Sequence, residues 1–191
     1  MNTLIAEHTE NGDMVFDIHQ RLAADRIFFI SQIVDDKFAS DMVANLILKN
    51  AESKTEQITL FINSEGGNIS SILSIYDIMQ LIECPIQTIA IGDVNSESLI
   101  LLCGGTKGLR CASKNAMMKP EEITFFNMGQ SSMDDSKITL DLYRSFNKKM
   151  LEIIAKHSGK SVATLMKDIK NGIFFTAEKA KKYGLIDKVM K

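Results

Sequence analysis

The sequence has no tryptophan, two prolines, three cysteines and three histidines in 191 residues. Pro85 and Pro120 stand alone, and no Gly/Ser-rich or Pro-rich stretch divides the chain, so a single domain is expected rather than two joined by a linker. Cys84, Cys103 and Cys111 lack close paired spacing and cannot all pair with one another; their apolar or small neighbours suit buried thiols in a reducing compartment. His8, His19 and His157 are far apart and none belongs to a Cys/His cluster, which argues against a metal site; no cofactor is expected either. Apolar stretches such as 98–106 fall short of the ~20 residues needed to cross a bilayer. The first 13 residues carry acids and polar groups where a secretion signal needs a basic start and an apolar run. With 22 Lys+Arg against 24 Asp+Glu, a net charge of −2 and no basic block, nucleic acid is not an expected partner, and neither is a membrane. Lys179, Lys181 and Lys182 read as a solvated helix face. A cytoplasmic location fits, with a plastid stroma or a phage origin also open.

What is present is enough apolar material, 45% of positions, to bury one substantial core. At 57–63, Ile58, Leu60 and Ile62 alternate with Thr59, Phe61 and Asn63, and the β-branched and aromatic content of both sets predicts a strand covered on two sides. After Ser64-Glu65-Gly66-Gly67-Asn68 the period changes, and Ile69, Ile72, Leu73, Tyr76 and Met79 recur at helical spacing. The grammar repeats: a strand over 85–91, a turn at 92–95, and a short helix over 96–103 ended by Gly104-Gly105. Alternating strand and helix predicts a mainly parallel α/β sheet, with ligand chemistry beyond the carboxyl ends of its strands. Two turns there offer exposed backbone N–H groups, at Gly66-Gly67 and at Ser96. Ile138, Leu142, Phe146, Met150, Ile153 and His157 form the stripe of a helix of about five turns ending at Ser158-Gly159, either projecting to a partner or covering the core. A capped helix over 176–182 before Gly184, and a strand over 185–190, complete the chain.

Several segments, taken in order, carry a resemblance: Phe16-Asp17-Ile18, Arg26-Ile27-Phe28-Phe29, Ile62 to Gly67, Ile75-Tyr76-Asp77, Ile91-Gly92 through Ser96, Lys107-Gly108, and Thr176-Ala177-Glu178 to Tyr183-Gly184-Leu185-Ile186-Asp187. Together they resemble ClpP, the proteolytic subunit of the ATP-dependent Clp protease, from about residue 5 onward. The resemblance implies a crotonase-like fold of stacked β-β-α units. It implies an N-terminal axial loop at about 1–18, a head at about 19–135 and 158–191, and a projecting handle helix at about 136–157. Seven such subunits form a ring, two rings enclose a chamber, and an AAA+ unfoldase feeds unfolded polypeptide through axial pores.

The resemblance places the nucleophile at Ser96, for which the residue pattern alone also allows a helix N-cap. It places the oxyanion-hole backbone N–H groups at Gly67 and Glu97, and the third triad member at Asp168, counting back from 174–177. Asp168 reads equally as a surface acid on the Lys-rich helix at 167–170. The triad histidine has no counterpart. Its position falls on Glu121, or on Glu122 or Ile123, and a carboxylate with a pKa near ~4.3 is a weak base towards a serine hydroxyl. His157 reads as a cap at the end of the handle helix, His8 and His19 belong to the axial loop and its exit, and no spacing favours Lys107 or Lys119 as a substitute base. Glu97 sets a carboxylate beside a site meant to collect negative charge. Around 125–135 the family has a Gly-rich strand, where this chain has only Gly129-Gln130.

Three readings follow. The first is a non-catalytic ring subunit, similar to ClpR, that assembles with itself or with catalytic ClpP-type subunits in heptameric or tetradecameric rings. The second is an active serine endopeptidase that cuts unfolded proteins into short peptides. The third is acyl-CoA chemistry on the related crotonase fold.

Overall fold

The computed structural model describes residues 4–9, 12–122 and 133–190. An antiparallel hairpin, β1 (Leu4–Thr9) and β2 (Gly12–Asp17), opens the chain in place of the expected loop. Asp17 then caps α1 (Ile18–Ala24) by accepting from the His19 N–H at 2.9 Å. There follow β3 (Ile27–Ile30), α2 (Asp36–Glu52), β4 (Ile58–Ser64), α3 (Ile69–Leu81), β5 (Ile86–Asn95), α4 (Ser98–Cys103), β6 (Arg110–Ser113) and β7 (Met117–Lys119). The last elements are α5 (Met133–Ser158), α6 (Val162–Lys170), β8 (Phe175–Thr176), α7 (Ala177–Tyr183) and β9 (Lys188–Met190).

The main sheet runs β3-β4-β5-β6-β9, all parallel. β7 adds to the far end of β5 in parallel and pairs antiparallel with β8. The mixed α/β class with a mainly parallel sheet is as the sequence predicts, because each helix carries the chain back to the same sheet end.

β4 departs from expectation on one face. Ile58, Leu60 and Ile62 are completely buried, but Thr59 and Phe61 are half-buried and Asn63 is exposed. Phe61 stacks on Phe29 at 5.2 Å, and Gln57 bonds Gln87 across the same face, so this side is covered in part by neighbouring strands' side chains.

The helix of the central stripe is α5, slightly longer than the expected 136–157. Its second half is packed, with Met150, Leu151, Ile153 and Ile154 buried and Tyr143 and Phe146 leading into it partly buried, while Ile138 and Leu142 are 69% and 51% exposed. The apolar face therefore continues beyond the core that it starts from. At its base, the His157 ring nitrogen meets the Tyr76 hydroxyl at 2.9 Å instead of capping a helix carbonyl, and Arg110 takes the His157 carbonyl at 3.0 Å. The three cysteines are unpaired and buried, as expected. Lys179, Lys181 and Lys182 are exposed, and Thr176 and the left-handed Gly184 cap α7 at its two ends.

Candidate active site

Two strand ends build the site. β4 finishes at Ser64, whose hydroxyl meets the Gln32 carbonyl at 2.6 Å, and the chain then turns through Gly66 (φ +118°) and Gly67 (φ +152°). Here glycine is required twice over. The backbone of Val34 runs alongside, donating its N–H to the Gly66 carbonyl at 3.0 Å and accepting from Asn68 at 2.8 Å. A Cβ at Gly67 would sit 2.6 Å from the Val34 nitrogen and closer still to its oxygen. Asn68 then caps α3, its side-chain oxygen accepting from Ser70 at 2.9 Å and Ser71 at 3.3 Å.

β5 does not end where the sequence suggests. Residues 92–95, expected as a turn, continue the strand after an irregularity in the β4 pairing, because β7 supplies a new partner from Asp93 to Asn95. The turn comes at Ser96, whose backbone is left-handed (φ +53°), a conformation that costs a non-glycine residue about 1–3 kcal/mol. Its N–H goes to the Lys119 carbonyl at 2.8 Å, so Ser96 does not offer the exposed donor expected of it. It is not the helix cap either: α4 begins at Ser98, and the cap position is Glu97, which makes no capping bond through its side chain. Ser98, completely buried, fixes the turn by placing its hydroxyl 2.7 Å from the Ser64 carbonyl and 2.6 Å from that of Asn95. This strand, strained turn and helix present the half-buried Ser96 at the end of the sheet.

Ser96, Glu97, Gly66, Gly67 and Glu121 line one cleft of about 840 Å³, walled on its far side by Leu142, Tyr143 and Phe146 of α5. The structure thus brings together both expected backbone-donor residues, the expected nucleophile and Glu121, one of the three residues on which the histidine position could fall. Glu121 pairs with Lys119 at 2.6 Å, a half-exposed contact worth little. Glu122 is exposed, and Ile123 and residues 125–132 lie outside the described residues. No described residue hydrogen-bonds the Ser96 hydroxyl.

The other candidates lie elsewhere. Asp168 is on α6, where its carboxylate accepts from the Tyr183 hydroxyl at 2.6 Å, and it does not line the cleft. Burial and then this bond raise the Tyr183 pKa. His19 packs edge-on against Phe29 at 5.6 Å and His8 belongs to β1, while His157 is engaged by Tyr76. Neither Lys107 nor Lys119 lines the cleft.

Glu97 is the residue whose position the sequence could not give. It is only 6% exposed, and its side chain folds back from the turn so that Oε2 lies 3.4 Å from the Gly67 nitrogen, within hydrogen-bond reach of its N–H. A Cβ at Gly66 would collide with that same oxygen. Val34 carries no signal in the sequence, and Ser98 reads there as added bulk after Ser96, whereas in the structure its buried hydroxyl fixes the turn.

A parallel α/β sheet that delivers a serine in a strained turn, beside a glycine whose N–H faces the same cleft, is the framework of a serine peptidase. The family model of the Clp protease matches residues 10–191, and the chain belongs to that family. It is a family of peptidases that act as oligomeric rings with an AAA+ unfoldase.

Proposed function

We propose that this chain is a non-catalytic ring subunit of a Clp protease complex, which builds the chamber and receives unfolded polypeptide from an AAA+ unfoldase without cleaving it. One observation carries the reading: among the described residues lining the Ser96 cleft there is no imidazole, and the nearest replacement is Glu121. Loss of the base from a serine triad typically costs about 10⁴ to 10⁶ in turnover. The exposed half of the α5 stripe supports an assembly role, since Ile138 and Leu142 continue an apolar face past the subunit's own core. Assembly with itself or with catalytic ClpP-type subunits in heptameric or tetradecameric rings, and a cytoplasmic location, belong to the same proposal.

The active-peptidase reading rests on the left-handed Ser96, since a strained serine kept beside backbone donors is what a nucleophile needs. A serine-directed fluorophosphonate separates the two. On the assembled chain alone, the proposal expects no stoichiometric labelling and peptide hydrolysis at least 10⁴-fold below that of a catalytic family member. Stoichiometric labelling that disappears in S96A would overturn it.

A further inference from the structure

We infer that Glu97 is a built-in occupant of the oxyanion site, holding with its own carboxylate the backbone donor that an anionic tetrahedral ligand would otherwise take. The inference rests on reading the Ser96 cleft as peptidase-derived, but concerns what the cleft can bind rather than whether it has a base.

The Gly67 N–H is the donor, and Glu97 Oε2 is 3.4 Å from its nitrogen. The carboxylate is not a side chain passing through solvent: the residue is only 6% exposed, and Oε2 occupies the space where a Cβ at Gly66 would stand. The remaining charged groups among the described residues lining the cleft, Glu65 and Glu121, are also acids, and Glu121 is paired with Lys119. An oxygen with developing negative charge would have to displace the carboxylate from the Gly67 N–H and then sit beside it, and like charges at close range in a partly buried cleft repel strongly. A planar, neutral peptide in the cleft meets no such opposition. Glu97 thereby determines which ligands the site accepts: it tolerates the ground state and rejects the tetrahedral anion.

A peptide boronic acid tests this without a catalytic base. Its boron bonds to the Ser96 Oγ, the hydroxyl proton leaves to solvent, and the boron becomes a tetrahedral anion that keeps both of its hydroxyls. Two substitutions separate occupancy from charge. E97M keeps an unbranched side chain of similar length and removes the acceptor; E97Q removes the charge but keeps an oxygen that can still accept from Gly67. Binding is measured by calorimetry on the assembled protein, with S96A as the control for the covalent adduct and thermal melting to establish that each variant is folded.

The expected result is a gain of at least tenfold in boronate affinity for E97M over the wild-type chain, and a smaller gain for E97Q. Equal affinity of E97M and wild type, including no binding to either, overturns the inference, as does a gain in E97Q that matches or exceeds that in E97M. If E97M fails to melt cooperatively, the comparison of E97Q with wild type decides: any tight wild-type adduct at Ser96 overturns occupancy, and an adduct confined to E97Q supports it. The proposed function fails by a different readout, since hydrolysis by wild type would sink it, whereas no gain in E97M would leave the lack of hydrolysis untouched.

Discussion

The Tyr76 hydroxyl and His157 Nε2 are 2.9 Å apart, joining α3 to the last turn of α5 across a gap of 81 residues. The rings meet edge to face with centroids 5.7 Å apart. Burial, followed by the charges of Lys156 and Arg110, pushes the His157 pKa down to about 4, so the imidazole is neutral in the fold near pH 7. Burial also raises Tyr76 to about 12, with Cys103 and Asp77 adding to the shift, and the phenol stays protonated. This histidine anchors the C-terminal end of α5 to α3.

A pH dependence follows from that pair. Between about 6.5 and about 4 the unfolded chain binds a proton at His157 that the folded chain does not, so stability is greatest above the upper limit and falls as pH drops towards the lower one. Below about 4 both states are protonated and this contribution stops changing. The H157Q variant should show a flatter dependence of Tm on pH from 7.5 to 4.5, and Y76F should lose about 1 kcal/mol for the missing hydrogen bond. A wild-type Tm that is constant over that range would contradict the assignment.

The adjacent ion pair titrates in a separate window. Asp187 accepts from Arg110 Nη2 at 2.6 Å and Nε at 2.9 Å, and from the Gly108 N–H at 2.7 Å. Burial alone would raise its pKa, but the Arg110 side chain and these backbone donors outweigh that and hold it at about 2. Its contribution is fully present above the ordinary value of 3.8 and is lost only as pH falls through about 2, below the His157 window. Removing one partner of a buried pair is costly, so D187N should destabilise by roughly 3–5 kcal/mol in urea unfolding. A loss under 1 kcal/mol would show that the pair is not coupled to the fold.

Gly67 offers the sharpest steric test. G67A adds a methyl against the Val34 backbone at a left-handed φ, and the strain and overpacking together should cost roughly 2–5 kcal/mol. G108A, at a left-handed glycine with open space around its missing Cβ, isolates the dihedral penalty and should cost less. Equal melting temperatures for the two variants would exclude the Val34 clash.

Much of the framework was legible in residue order. Ile58, Leu60 and Ile62 marked a strand, Ile69 to Met79 marked a helix by its period, and Thr176 and Gly184 marked the ends of another by capping chemistry. The parallel sheet followed from their alternation. Residues 92–95 were misread because Gly92 and Asn95 are turn formers by propensity; Gly92 does take a left-handed φ of +59°, but Asp93 to Asn95 are held in the strand by β7, more than 20 residues away. The placement of Ser96 was misread for the same reason, since its N–H is claimed by Lys119 rather than left at a helix start.

By itself the sequence determined that the chain's histidines are His8, His19 and His157 and no others, because composition and order are complete statements about which chemical groups exist. It also determined that an acid follows Ser96. Where that acid points was decided only by the tertiary structure: the crossover through α3 brings the ends of β4 and β5 side by side, Gly66 leaves room where a Cβ would stand, and the Glu97 carboxylate enters it to meet Gly67. A rotamer turned towards a neighbouring strand depends on contacts 30 residues apart in the chain, which no local pattern encodes.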